Sequence, residues 1–177
     1  SDQDVYGILT KPDTMGTFPV IIGVAGSTGW GAHHYGYLER YLDMGFAVFS
    51  LHSFISRGVE STVGEQLSVT MPMMIYDSFM ALNMLSNDKN LDVHRVGITG
   101  WSLGGGVSLF TAWKPIQELI SPNLKFAAHL PFYPPCMIIP DEIKFNDVPI
   151  HILAGELDDW VPAAACEELV EAAYNFG

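Results

Sequence analysis

The chain has 177 residues, 49% of them hydrophobic and 16% charged. That is enough for one domain with a buried core, and it excludes an intrinsically disordered chain. Eight Lys and Arg stand against 20 Asp and Glu, a net charge of −12, so neither nucleic acid nor an anionic membrane surface is expected as a partner.

In chain order, Val5 to Leu9 reads as a short strand, followed by a turn-rich link from Lys11 to Gly16. Pro19 then opens Val20-Ile21-Ile22-Gly23-Val24-Ala25, a continuous apolar run of the kind found in a strand buried on both faces. A polar, glycine-rich loop, Gly26 to Gly31, leads into a helix over Tyr35 to Met44, which Gly45 stops. Phe46 to Leu51 is a second buried strand, and His52 to Gln66 a long irregular loop. Apolar residues between Val69 and Leu85 predict a helix, with Pro72 close to its start. After a turn at Asn87 to Asn90 come a strand ending near Thr99, a helix to about Trp113 and a variable stretch from Pro115 to Pro122. Lys125 to Leu130 and Pro149 to Ala154 are further strands, separated by a loop, and Pro162 to Tyr174 is a final helix. Strands alternating with helices over residues 1–177 imply a single α/β domain, with a mostly parallel sheet and helices on both faces. No apolar run reaches the roughly 18 residues of a membrane span, and no signal peptide opens the sequence. A soluble protein is therefore expected, with the cytoplasm as the favoured compartment.

The chemistry is concentrated in Gly100-Trp101-Ser102-Leu103-Gly104, which lies between an apolar β-branched run and a helix-compatible segment. In that strand–turn–helix context G-x-S-x-G presents a nucleophilic serine at the carboxyl end of the sheet. Ser102 is accordingly the candidate nucleophile. The N–H of Leu103, at the start of the following helix, is aimed where an oxyanion would form. Trp30, Trp101 and Trp160 fall beside site loops and suggest an aromatic-lined pocket, with Trp30 and Trp101 as substrate-binding candidates. No pair of histidines has metal-ligand spacing with carboxylates, so no metal and no cofactor is expected. Cys136 and Cys166 read as buried thiols.

With these segments on the page, the chain resembles the α/β-hydrolases and, within them, the dienelactone hydrolase family. Phe18 to Ile22 with Ala25 to Trp30 is similar to the family's strand and oxyanion loop. His52-Ser53-Phe54-Ile55-Ser56-Arg57-Gly58 is similar to its D-S-F-x-x-R-G segment, and Phe132-Tyr133-Pro134-Pro135-Cys136 to its Y-P-P-C. Ala154 to Pro162 is similar to its acid loop. The resemblance implies Asp158, rather than the adjacent Asp159, as the triad acid, and the Ser27 N–H as the second oxyanion donor. It implies Arg57 as the ligand of a substrate carboxylate, the alternative being a salt bridge to Glu60 or Glu65. The expected reaction is cleavage of a small-molecule carboxylic ester, lactone or thioester through an acyl-serine.

The chain also departs from the family. The nucleophile of dienelactone hydrolase itself is a cysteine where this chain has Ser102. Ala25-Gly26 replaces His-Gly, and His52 stands where Asp is common. The triad order in this fold is Ser, acid, His, yet all six histidines precede Asp158. A further strand and helix would take roughly 30 residues, so the last strand and helix of the fold are expected to be missing from the sequence given. His33 and His34 read as surface or pocket-rim residues, His129 and His151 as core, and His52 as a possible substrate ligand. The competing expectation is a hydrolase-like domain that binds a small acyl ligand without turnover.

Overall fold

A computed structural model of the chain describes residues 4–176. Its sheet contains β1 (Gly7–Thr10), β2 (Phe18–Val24), β3 (Ala47–Leu51), β4 (Leu91–Trp101) and β5 (Ala128–Phe132), in the order β1-β3-β2-β4-β5. β1 runs antiparallel to β3, and the other neighbours are parallel. The apolar runs of β2 and β3 are continuous because both faces of the sheet are covered. On one face, a side chain at Gly23 would meet Trp30 and, on helix α1 (Ala32–Asp43), Leu38. On the other, Val20, Ile22 and Val24 join one core with residues of α2 (Met71–Leu85) and α3 (Leu103–Phe110). Met74, Phe79 and Leu82 of α2 are each at most 1% exposed, and burying side chains of that size contributes about 1.5–3 kcal/mol apiece.

Several boundaries differ from the sequence reading. α1 starts three residues earlier than Tyr35, whereas β4 begins at Leu91, directly after the turn expected at Asn87 to Asn90. Pro72 does not disturb α2: it lies in the first turn, where its missing N–H has no intrahelical partner to lose, and the Thr70 hydroxyl caps the Met73 N–H. The same logic makes a helix of the stretch read as variable, since Pro115 occupies the first turn of α4 (Lys114–Ile120). β5 is shifted three residues along, to Ala128–Phe132. The strand expected at Pro149 to Ala154 is only partly formed. It runs parallel beside β5, where Pro149, His129, Pro131 and Leu153 carbonyls accept from His129, His151, Leu153 and Tyr133 N–H groups.

The two cysteines are a clear correction. Cys136 and Cys166 form a disulfide across a sequence separation of 30 residues. It ties the loop after β5 to α5 (Ala163–Phe176), the helix that follows the Asp158 loop. No spacing rule reveals such a pair, because the fold alone brings the two segments together.

β2, β4 and α3 meet with their backbones almost in contact. A Cβ on Gly100 would lie 2.0 Å from the Gly104 carbonyl oxygen, and one on Gly104 would lie 2.2 Å from that of Val24. These atoms are backbone and cannot rotate away. Gly100→Ala is therefore expected to destabilise the fold by about 3 kcal/mol or more, at the upper end of overpacking costs. Chemical denaturation measures this, and a shift below about 0.5 kcal/mol would contradict the packing described.

Candidate active site

That close packing sets the conformation of Ser102. Its backbone has φ 54° and ψ −115°, in a region an L side chain avoids. The Ser102 N–H donates to the Phe132 carbonyl at 3.0 Å, and its carbonyl accepts from the Gly106 N–H at 2.9 Å. The residue is thereby pinned between β5 and α3. Leu103 opens α3, so its N–H belongs to the orphan donors at the positive end of the helix.

Ser102 and Leu103 line a cleft of about 490 Å³, and Ser27 and Asp158 line the same one. Ser27, 75 positions before Ser102, and Asp158, 56 positions after it, are thus brought to a single opening at the carboxyl ends of the strands. Among the described residues, the non-glycine positions with positive φ are Gln66, Ser102 and Tyr133, and all three line this cleft. Each such position costs on the order of 1–3 kcal/mol unless its surroundings enforce it. That cost is concentrated around one opening.

Asp158 is oriented from behind. Its Oδ1 accepts from the Trp160 N–H at 3.0 Å and the Val161 N–H at 2.9 Å, which leaves its second oxygen for another donor. Val63, Met71, Met137 and Ile138 make one side of the cleft apolar, and no Lys or Arg is among its lining residues. Trp160 borders it and is 77% exposed. Trp101 also borders it but is only 1% exposed, packed against His34, Tyr37 and Phe132. Its role there is to support the wall, with little surface left for a ligand.

His34, read as a rim residue, is buried. Its Nδ1 accepts from the Gly31 N–H at 3.0 Å, which puts the neutral ring's proton on Nε2. Burial, and secondarily the charge of His33, lower its pKa to about 4. Both histidines line the cleft. The sequence offered a sign of this only in their place at the mouth of the first βα loop. Of the two histidines read as core, His151 is exposed, whereas His129 is buried, its Nδ1 2.7 Å from the Ser108 carbonyl oxygen and its pKa lowered to about 4 by burial.

Three expected neighbours of the site are elsewhere. Trp30 and His52 line a second cavity, which shares only Thr28 with the Ser102 cleft. Arg57 lines neither. Its guanidinium is held by both Asp77 carboxylate oxygens, at 2.7 and 2.9 Å, and donates to the Ser53 carbonyl at 2.9 Å. The carboxylate responsible is Asp77 on α2, not Glu60 or Glu65, and no local signal pairs two residues 20 apart. Asp77 is 5% exposed, so Arg57→Ala leaves a buried carboxylate unpaired and is expected to cost about 3–5 kcal/mol. Replacing both residues by leucine should restore much of that, as read by unfolding midpoints of the single and double variants. A selective loss of activity on anionic esters, without loss of stability, would show instead that Arg57 meets the substrate.

Among the described residues, no three His, Cys, Asp or Glu side chains converge as metal ligands would, and no helix is long and apolar enough to cross a membrane. Comparison with solved structures gives the fold. Esterase 2 from Thermogutta terrifontis, in a form phosphoramylated by tabun, superposes with a TM-score of 0.76 at 17% identity, over 98% of this chain and 75% of its own. A provisionally assigned dienelactone hydrolase from Klebsiella pneumoniae gives 0.74 at 17% identity, over 97% and 75%. A lipase/esterase from Lactobacillus plantarum gives 0.69 at 14% identity, over 97% and 80%. The architecture is that of an α/β-hydrolase. No curated protein matches the sequence. The sequence pattern of the dienelactone hydrolase family, however, matches residues 5–175, nearly the whole chain. The chain belongs to the dienelactone hydrolase family.

Proposed function

We propose that this domain hydrolyses small carboxylic esters, lactones or thioesters through an acyl-serine formed on Ser102. The observation that carries this reading is the strained backbone of Ser102, in a cleft that Asp158 and the oxyanion loop also border. Family membership supports ester hydrolysis in general, and the acyl-serine step rests on the geometry.

In the proposed reaction the Ser102 Oγ attacks the acyl carbonyl carbon while an imidazole accepts its proton. The carbonyl oxygen, now negative, is met by the N–H groups of Leu103 and Ser27, dipoles already oriented before charge develops. Collapse of the tetrahedral intermediate expels the alcohol or thiol, which takes the proton back from the imidazole, and water then releases the acid by the same steps in reverse order. Asp158 would orient the imidazole through its free oxygen and stabilise the charged ring. An apolar wall without Lys or Arg favours neutral acyl groups over anionic ones.

The proton acceptor limits what the given residues can do. No histidine follows Asp158 in the sequence, and His34, with its pKa near 4, is a weak base at neutral pH. A serine hydroxyl without a positioned base is a poor nucleophile, and triads lacking a member keep only about 10³–10⁴-fold acceleration over water. The 177 residues alone should therefore turn over p-nitrophenyl acetate weakly, and Ser102→Ala should remove what there is. Robust Ser102-dependent turnover would mean that His33, or a second copy of the chain, supplies the base. Ligand binding with no Ser102-dependent turnover, in any form that carries a histidine beyond Asp158, would favour the non-catalytic reading.

A further inference from the structure

The Gly26–Gly29 turn lies directly against the nucleophile, since a Cβ on Gly26 would be 3.5 Å from the Ser102 Cβ. The turn is anchored from both sides. The Ser27 carbonyl accepts from the Thr62 N–H at 2.9 Å and from the Ser61 hydroxyl at 3.0 Å. Two residues beyond the turn, the Gly31 N–H donates to His34 Nδ1 at 3.0 Å. The His34 imidazole is thereby fixed to the same segment that borders Ser102.

Packing holds the ring as well. It is 3% exposed, with its centroid 3.8 Å from that of His33, 4.6 Å from that of Trp101 and 5.7 Å from that of Trp30. Because Nδ1 accepts, the proton of the neutral ring sits on Nε2, and a pKa of about 4 keeps the ring neutral at pH 7. This Nε2–H has no hydrogen-bond partner among the described residues, yet it is not sealed in the core as the unpartnered indole nitrogen of Trp101 is. Ser102, Gln66, Tyr133 and Asp158 line the same cleft, and none of their oxygens accepts from it. The little surface that His34 keeps belongs to that cleft. A nearly buried donor without an acceptor costs free energy that a ligand oxygen or an ordered water recovers.

We propose that His34 is a substrate-binding residue, its Nε2–H donating to an acceptor oxygen of an ester held in the Ser102 cleft. The inference rests on the hydrolase reading for the class of ligand, and it adds a side-chain donor to the two backbone N–H groups of the oxyanion site. The role is one of binding and orientation. His34 transfers no proton, since the nitrogen facing the cleft already carries one and the other is occupied by Gly31.

The test uses ethyl butyrate and the Ser102→Ala chain, in which no acyl-serine can form, with ¹⁵N-labelled imidazoles that report on each ring nitrogen separately. The ester should move the His34 Nε2 resonance downfield and leave that of Nδ1, which faces Gly31, nearly unchanged. Two further substitutions in the same background divide the contacts of the ring. His34→Asn keeps an acceptor for the Gly31 N–H but stops short of the cleft, and should weaken ester binding about three- to tenfold. His34→Gln keeps an N–H at the Nε2 position but gives up the anchor, and should bind within about twofold of the histidine even where it costs stability. A purely structural histidine reverses that order. Ser102-dependent turnover by the unsubstituted chain reports on the hydrolase reading separately. A moved Nε2 resonance without such turnover keeps the contact and removes the reading, whereas turnover with an unmoved Nε2 keeps the reading and removes the contact. An Nε2 resonance unmoved at about 20 mM ester, or Asn binding the ester as tightly as Gln, overturns the inference.

Discussion

The structure depends on a single steric fact: three backbones pass so closely at the end of β4 that two of them leave no room for a Cβ. Gly100 faces the Gly104 carbonyl, and Gly104 faces those of Val24 and Ala25. The turn from β4 into α3 can therefore be tight enough to force Ser102 to positive φ. Its cost is met by the surrounding core, above all by the interleaving of β2 and β4 and by the hydrogen bond from Ser102 to Phe132. A looser turn would relax Ser102, and its hydroxyl and the first N–H of α3 would no longer share one opening.

The same economy extends to the rest of the cleft. Gln66 and Tyr133 are also held at positive φ, one in the long loop after β3 and the other just beyond β5. Both line the Ser102 cleft. The Cys136–Cys166 disulfide then joins the loop carrying Tyr133 to α5, so the segments on both sides of Asp158 are tied to one another. Asp158 is further fixed by two backbone donors. The cleft is thus built from connections, but from connections clamped at their ends, as precise positioning of reacting groups requires.

The features legible in the sequence were those with a local cause. The apolar runs of β2 and β3, the glycine-flanked turn at Ser102 and the turn at Asp158 each carry their signal within a few residues. The sheet's parallel order followed from alternation of strands and helices. Features with a non-local cause were not legible. The Arg57–Asp77 pair, the disulfide and the burial of His34 depend on which segments the fold brings side by side. Trp30 is near enough in sequence to Ser27 to be assigned to the Ser102 cleft, yet beyond the Gly26–Gly29 turn it lines the other cavity. Proline misled in a different way: at Pro115 it marked the start of a helix, where its missing N–H is harmless, and the sequence alone suggested irregularity.

The central claim is that the strained turn holds the Ser102 hydroxyl beside a preformed oxyanion site. The most direct measurement is the crystal structure of the protein after reaction with an alkyl phosphonate ester, whose tetrahedral phosphorus mimics the acyl intermediate. The account predicts a covalent bond to the Ser102 Oγ, with the phosphoryl oxygen about 2.7–3.1 Å from the N–H groups of Leu103 and Ser27. An adduct on another residue, or a phosphoryl oxygen turned away from both N–H groups, would contradict it.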